Sequence, residues 1–290
     1  MYTGPWIKMR KTPESSERQR EGPIVTLMHD DAVTRELGFM GGFVGGPSLE
    51  GVMAAAIPAS FGHHWYEGGA HSVRIFRPVY AEEEVRVAWD EIKPDPGDKR
   101  KIQYRLEKKN GERVAAGWAA LGQSVEKLAA PWERDVSSAG ETGDDVLPEI
   151  PIGAKYAPLE QTASREMVDD LLDRVQDTNW WYRIASPWGA PLIPPYFFGT
   201  MILRYTVESD KDRRMMDDTL PLWMYAGLDI MVYRPAFIGQ PYRFEGHVCQ
   251  KGRTARSVYV VRECNISGAD NTPVARARFR GTLLQLPQKV

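Results

Sequence analysis

The sequence predicts an α+β protein made of two tandem copies of one unit, each setting a long apolar helix against a curled antiparallel sheet. Three observations predict this: an ordered internal repeat, a polar break between the copies, and the same order of elements in both. Residues 74–87 read RIFRPVYAEEEVRV and residues 231–244 read MVYRPAFIGQPYRF, which sets Arg77-Pro78 on Arg234-Pro235 at an offset of 157. Downstream, NGERVAAGWAALG (110–122) matches DNTPVARARFRG (270–281), with Val114 on Val274 at an offset of 160. Upstream, GGPSLEG (45–51) lines up with IPPYFFG (193–199), with Pro47 on Pro195 at an offset of 148. Three matches in one order, drifting by no more than a loop's length, imply a duplicated unit of about 130 residues.

Between the copies, residues 127–161 hold APWERD, SSAGETGDD and PEIPIGAKYAP, rich in Pro, Gly, Ser and acid, which reads as a linker. The expected organisation is residues 1–126, a linker at 127–150, and residues 151–290. The first copy has a loop and then an apolar helix from Pro47 to about Ala59, with Pro58 placed to end or kink it. Its strands are HSVRIFRPV, EEVRVAWDEI, KRKIQYRLEKK and RVAAGWAALGQ, alternating and bounded by turn residues. The second copy opens with a helix from Ser164 to Val175, where Met167, Val168, Leu171, Leu172 and Val175 recur at helical spacing and Ser164 can cap. A Pro/Gly/Trp-rich loop follows, then an apolar helix from Tyr196 to about Tyr205. Its strands are LWMYAGLDIMVYRP, PYRFEGHVCQ, TARSVYVVREC and PVARARFRGTLL.

Composition narrows the class. At 290 residues and 42% hydrophobic content the chain can bury a large core without covalent staples. Two cysteines, Cys249 and Cys264, build neither a disulfide framework nor a cysteine zinc site. A net charge of −2 argues against a dedicated nucleic-acid binder. The basic start, with Lys8, Arg10, Lys11, Arg18 and Arg20, has no apolar run behind it and does not read as a signal peptide. No stretch approaches the ~20 apolar residues of a membrane helix. A cytoplasmic protein with no membrane partner is the expectation.

Neither a dinucleotide fingerprint, a phosphate loop nor a nucleophile elbow is present, which disfavours nucleotide-dependent and serine-hydrolase chemistry. His63, His64 and His71 cluster after the first apolar helix, but their spacing fits no standard zinc pattern. Arg276, Arg278 and Arg280 alternate on one strand face, either solvated or clamping phosphates. Trp180, Trp181, Trp188, Tyr196, Phe197 and Phe198 either line a pocket for a bulky or aromatic group or pack between the copies. Ser48 reads as a helix cap.

The segment VQDTNWWYRIASPWGAPLIPPYFFG (175–199) resembles the hydratase loop of the MaoC-like enoyl-CoA hydratase/dehydratase family, D-x-N-P-[LIV]-[HY], with its following Gly-rich stretch and helix start. Asp177, Thr178 and Asn179 fit that pattern, Trp180 replaces its proline, and Tyr182 stands where catalytic members have histidine. In the first copy, HDDAVTRELGFMGGFVGGPSLEG (29–51) resembles the segment from that histidine onward, so His29 takes its place. The aspartate expected five positions earlier is replaced by Ile24, and the motif is complete in neither copy. The strand openings at Arg77 and Arg234 also look like the family.

The resemblance implies a double hot-dog fold, two units side by side with sheets forming one surface and both long helices on its concave side. It implies an acyl thioester substrate, most simply of CoA, no further cofactor and no metal. The chemistry is acid/base: an imidazole and a carboxylate hold one water while a backbone N–H at a helix start polarises the thioester carbonyl. The candidate catalytic residues are His29, with Asp31, Glu50 or Asp177 as its acid, and Asn179. Gly46, Ser48, Tyr182, Trp188 and Tyr196 are the candidate binding residues. Glu50 also resembles the helix glutamate of acyl-carrier-protein dehydratases and of some hot-dog thioesterases, so hydrolysis by Glu50 and a water is the alternative. A hot-dog protein that has lost its chemistry is the third reading. A homodimer of whole chains is compatible with the sequence and not specified by it.

Overall fold

The computed structural model describes residues 1–11, 27–94, 97–122, 146–207, 223–254 and 257–284. Its centre is one antiparallel sheet of eleven strands: β1 (Tyr2–Thr3), β2 (Ile7–Lys8), β3 (Gly69–Ile75), β4 (Glu84–Ile92), β5 (Asp98–Lys108), β6 (Arg113–Gly122), β7 (Leu159–Thr162), β8 (Trp223–Val232), β9 (Pro241–Arg253), β10 (Ser257–Ser267) and β11 (Pro273–Leu284). The order is β1-β4-β5-β6-β3-β8-β11-β10-β9-β7, with β2 also on β4. Read outward from the β3–β8 pair, both directions give the same sequence of connections.

The pairing registers match as well. Ile75 lies opposite Ala115 and Val232 opposite Ala275; Arg86 lies opposite Glu107 and Arg243 opposite Ser267. Offsets of 157 for the first member and 160 for the second carry one set onto the other. At the junction Ser72 pairs with Asp229, themselves 157 apart. Alternation sets which side chains go inward: Ile102, Tyr104 and Leu106 of β5 are buried while Gln103 is exposed. β3 stops at Ile75, short of the expected Val79, because Phe76 and Arg77 both turn their N–H groups to Val114 O and Pro78 has none to give.

Six helices accompany the sheet among the described residues: α1 (Asp31–Glu36), α2 (Gly46–Ala54), α3 (Ala56–Phe61), α4 (Arg165–Arg174), α5 (Trp180–Arg183) and α6 (Phe197–Val207). α2 and α3 are the expected Pro47–Ala59 helix broken at Ala55, where Pro58 removes the N–H that would bond Ala54 O. α2 is apolar almost all round and almost wholly buried, packing on β4, β5, β8 and α6. α4 begins as expected, Ser164 Oγ accepting from Met167 N at 3.2 Å. One apolar core runs through both copies, from Ile57, Trp65 and Tyr104 to Phe198, Ile202 and Phe244. The linker falls outside the described residues up to 145. Beyond it Val146, Ile150 and Tyr156 are buried and β7 joins β9, so 146–162 is built into the fold.

Candidate active site

A cavity of about 720 Å³ opens where the start of α2 meets β3, the ends of β8, β10 and β11, and the last turn of α6. That size suits a small-molecule ligand. Its wall is largely apolar, including Phe39, Phe43, Leu203, Trp223 and Phe279, and its polar groups include His29, Arg74, Tyr225, Arg262 and Arg280. Among the described residues no Asp or Glu lines it. Both copies contribute: the loop and helix start come from the first, most of the strand wall from the second.

His29 ends a short 3-10 turn, and Asp30 caps the following α1 through Ala32 N at 2.8 Å and Val33 N at 3.0 Å. The His29 Nδ1 lies 2.7 Å from Phe43 O. A carbonyl only accepts, so Nδ1 carries the proton and Nε2 is the nitrogen at which a proton is gained or lost. Asp31 does not line the cavity. Its carboxylate accepts from Gly42 N at 2.7 Å and pairs with Lys11, and these contacts, the Gly42 N–H foremost, hold its pKa below the usual range. Gly42 is required there, since a Cβ would sit 2.2 Å from His29 O.

The start of α2 faces the cavity with Gly45 as its N-cap and no side chain capping it. Its N–H groups and dipole favour a developing negative charge. Ser48 is not the expected cap; it is buried in the first turn, its N–H bonded to Gly45 O. Gly46 lines the cavity beneath the Tyr225 ring, and a Cβ on it would lie 2.5 Å from that ring.

Glu50, one turn further, is wholly buried and does not reach the cavity. Its Oε2 accepts from Tyr225 OH at 2.5 Å and its Oε1 lies 2.8 Å from His71 Nε2, close but out of line for a hydrogen bond. Burial, then the Glu50 carboxylate, drives the Tyr225 phenol well above its ordinary pKa. Beside this group Arg74 holds the buried Asp229 carboxylate at 2.9 Å, and Ser72 donates to the same carboxylate.

The second copy's motif lies elsewhere. Asp177 Oδ1 accepts from Asn179 N at 2.8 Å, Asn179 caps α5 through Trp181 N at 3.0 Å, and Tyr196 OH donates to Asp177 Oδ2 at 3.0 Å. Burial raises the Asp177 pKa. Tyr182 OH meets Tyr66 OH from the first copy at 2.5 Å, and Trp181 and Trp188 pack on Tyr66. None of Asp177, Asn179, Tyr182, Trp188 or Tyr196 lines the cavity. Asp177, one of the three acids expected for His29, is thus not brought into the cavity with it; Tyr66 of the first copy packs against the second copy's motif. Trp180, Trp181, Phe197 and Phe198 likewise stay out of the cavity wall.

The histidine cluster divides. His63 and His64 pack on each other, ring centres 4.1 Å apart, while His71 is buried at Glu50. No set of three or more His, Cys, Asp or Glu residues among the described residues is placed to hold a metal. The arginine stripe also divides: Arg276 and Arg278 pair with Glu263 at 2.7 and 2.8 Å, whereas Arg280 lines the cavity over the Tyr259 ring. Tyr225, and His71 as a partner of Glu50, are the site groups that sequence reasoning missed. An acid at 229 inside the apolar run LWMYAGLDIMV was the available signal that this strand carries buried polar work.

No protein-family model and no curated protein sequence matches the chain. Solved structures do. A MaoC-like dehydratase matches with a TM-score of 0.55 at 13% identity, over 89% of this chain and 90% of its own. A protein described as a MaoC domain dehydratase from Chloroflexus aurantiacus gives 0.66 at 10% identity, over 98% and 95%. The double-hot-dog protein Rv0216 of Mycobacterium tuberculosis gives 0.62 at 10% identity, over 98% and 96%. No helix among the described residues is long and apolar enough to cross a membrane. At these identities the likeness is one of fold, and on it the chain is a hot-dog-fold protein similar in structure to MaoC-like dehydratases.

Proposed function

We propose that the chain is two hot-dog units, residues 1–126 and 151–290 joined by 127–150, and that it adds water to, or removes it from, an enoyl or 3-hydroxyacyl thioester, most simply of CoA. One observation carries the reading: His29 and the start of α2, which no side chain caps, open onto the same largely apolar cavity. An enoyl thioester set there would direct its carbonyl at the Gly46 N–H. In hydration the water oxygen bonds to C3 as its O–H bond breaks, and that proton leaves to a second acid/base group at the cavity wall. The π pair moves toward C2 and the carbonyl, and C2 takes a proton from the Nε2 of a doubly protonated His29. The helix start holds the enolate charge as it forms. Dehydration runs the same steps backward.

The thioesterase alternative, hydrolysis by Glu50 and a water, is less well supported, because Glu50 does not itself line the cavity. The test is a panel of enoyl- and 3-hydroxyacyl-CoAs, following enoyl absorbance and free thiol separately. The expected outcome is that enoyl absorbance changes and thiol does not, and that in His29→Ala, folded by circular dichroism, turnover falls by at least about 100-fold. Thiol release would support hydrolysis instead, and silence in both signals would support a fold without its chemistry.

A further inference from the structure

No described carboxylate lines the cavity, yet one is wired to it. Tyr225 lines the wall, its hydroxyl donates to Glu50 Oε2 at 2.5 Å, and Glu50 sits wholly buried behind it against His71. We propose that Tyr225 is a second catalytic residue, its phenol passing a proton between a water in the cavity and Glu50, with Glu50 and His71 as the buried groups behind it. This rests on the hydratase reading above and names the group that handles the proton of water.

The step balances as follows. In hydration the oxygen of water bonds to C3 and its O–H bond breaks. That proton goes to Tyr225 O as the proton of Tyr225 moves to Glu50 Oε2. The π pair takes a proton at C2 from His29. Glu50 ends one proton richer and His29 one poorer; Glu50 is reset by returning its proton through Tyr225 to water in the cavity, where His29 regains one.

Three observations favour this over a purely structural contact. First, the direction of the bond fits: a phenol that donates to a carboxylate keeps its lone pairs for a water. Second, two helices leave room for this one side chain. A Cβ at Gly46 on α2 would lie 2.5 Å from the Tyr225 ring, and one at Gly199 on α6 would lie 2.4 Å from its hydroxyl. A ring clasped in this way is preorganised, as a proton relay requires. Third, a buried carboxylate beside an imidazole is a costly way to join a helix to a sheet, since apolar side chains of like volume do so at least as well. The raised Tyr225 pKa agrees with a phenol that relays a proton without resting as phenolate. Glu50 is faced by His71 from β3 and Tyr225 from β8, with Tyr104 of β5 in electrostatic reach; Arg74 and Asp229 lie in electrostatic reach of Tyr225.

The experiment compares full-length wild type, Tyr225→Phe, Glu50→Gln and His29→Ala on the thioester that wild type turns over best. Tyr225→Phe keeps the ring and serves should Glu50→Gln fail to fold. The expected result is a fall in kcat of about 10²- to 10⁴-fold for Tyr225→Phe with KM within about threefold. The proton inventory in mixed light and heavy water is expected to change from curved in wild type to linear in Tyr225→Phe. Glu50→Gln, where folded, loses as much, and the double variant loses no more than either single one. A structural role would instead lower Tm and raise KM while kcat stayed. If Tyr225→Phe keeps kcat within about threefold while His29→Ala is inactive, the relay is overturned and the hydratase reading stands. If wild type turns over no thioester in the panel, both fall.

Discussion

Ser72 faces Asp229 across the central β3–β8 pair, and Asp229, 2% exposed, accepts from Ser72 and from Arg74 two residues along the same strand. Arg74 is 19% exposed and lines the cavity, so the two members of the Arg74–Asp229 pair are not equally trapped. The carboxylate has no route to water, whereas the guanidinium has one.

The two ends of this pair therefore respond differently to substitution. Arg74→Met strands a buried carboxylate and should cost about 3–5 kcal/mol. Asp229→Asn leaves an arginine that can hydrate from the cavity and should cost nearer about 1 kcal/mol. Burial already raises the Asp229 pKa against the pull of Arg74, and removing Arg74 raises it further. A carboxyl with a raised folded pKa loses stability as pH rises through that value. The Arg74→Met deficit should thus shrink in acid, measured by urea unfolding at two pH values. Equal losses for the two variants at both values would refute the argument.

Gly46→Ala puts a methyl 2.5 Å from the near end of the Tyr225 side chain, which cannot swing aside as a flexible tip would. A loss of about 1–3 kcal/mol is expected from overpacking, with lower turnover. In a Tyr225→Ala background the same change should cost at least about 1 kcal/mol less. A double-mutant cycle on thermal unfolding reads the coupling directly, and a coupling near zero would place the strain elsewhere.

Tyr66 and Tyr182 share one short hydroxyl contact with both side chains buried. Tyr182→Phe removes one partner and orphans the other, costing about 1–3 kcal/mol. Tyr66→Phe with Tyr182→Phe removes both and should cost less than the two singles added. Because neither side chain lines the cavity, thioester turnover should hold within about twofold in each variant. A large fall in kcat for Tyr182→Phe would return that tyrosine to the site.

Why the fold was more legible than the site follows from sequence distance. A strand's alternation and a helix's apolar run are local, so the elements showed in short windows. The repeat offset of 157 even brings Ser72 onto Asp229, the pair that meets at the centre of the sheet. The helix break at Ala55 was marked by Pro58, and the α4 cap by Ser164. The site depends on contacts between distant residues: Tyr225 reaches Glu50 across 175 positions and Tyr66 reaches Tyr182 across 116. No local pattern encodes which of two similar loops opens onto the cavity and which packs against an aromatic ring from the other copy. Glu50 is a candidate from its place on the helix alone, whereas its burial depends on His71 of β3 and Tyr225 of β8, which no short window of sequence contains.

Asp177 separates the two loops most sharply, and its titration gives a signed test. Burial raises its pKa, partly offset by the Asn179 N–H and the Tyr196 hydroxyl. In the unfolded chain the group titrates near about 3.9. Between that value and the higher folded one the native state binds more protons, so this residue's contribution to stability falls as pH rises through the window. Asp177→Asn removes the charge and keeps an acceptor for Asn179 N, while the Tyr196 hydroxyl can turn to accept from the new amide. Relative to wild type, the variant should gain stability as pH rises from about 4, and its urea midpoint should lie at or above wild type at pH 7. Since Asp177 is outside the cavity wall, turnover should stay within about twofold. A variant of unchanged midpoint but turnover down a hundredfold would overturn the assignment and move the acid/base site to the second copy.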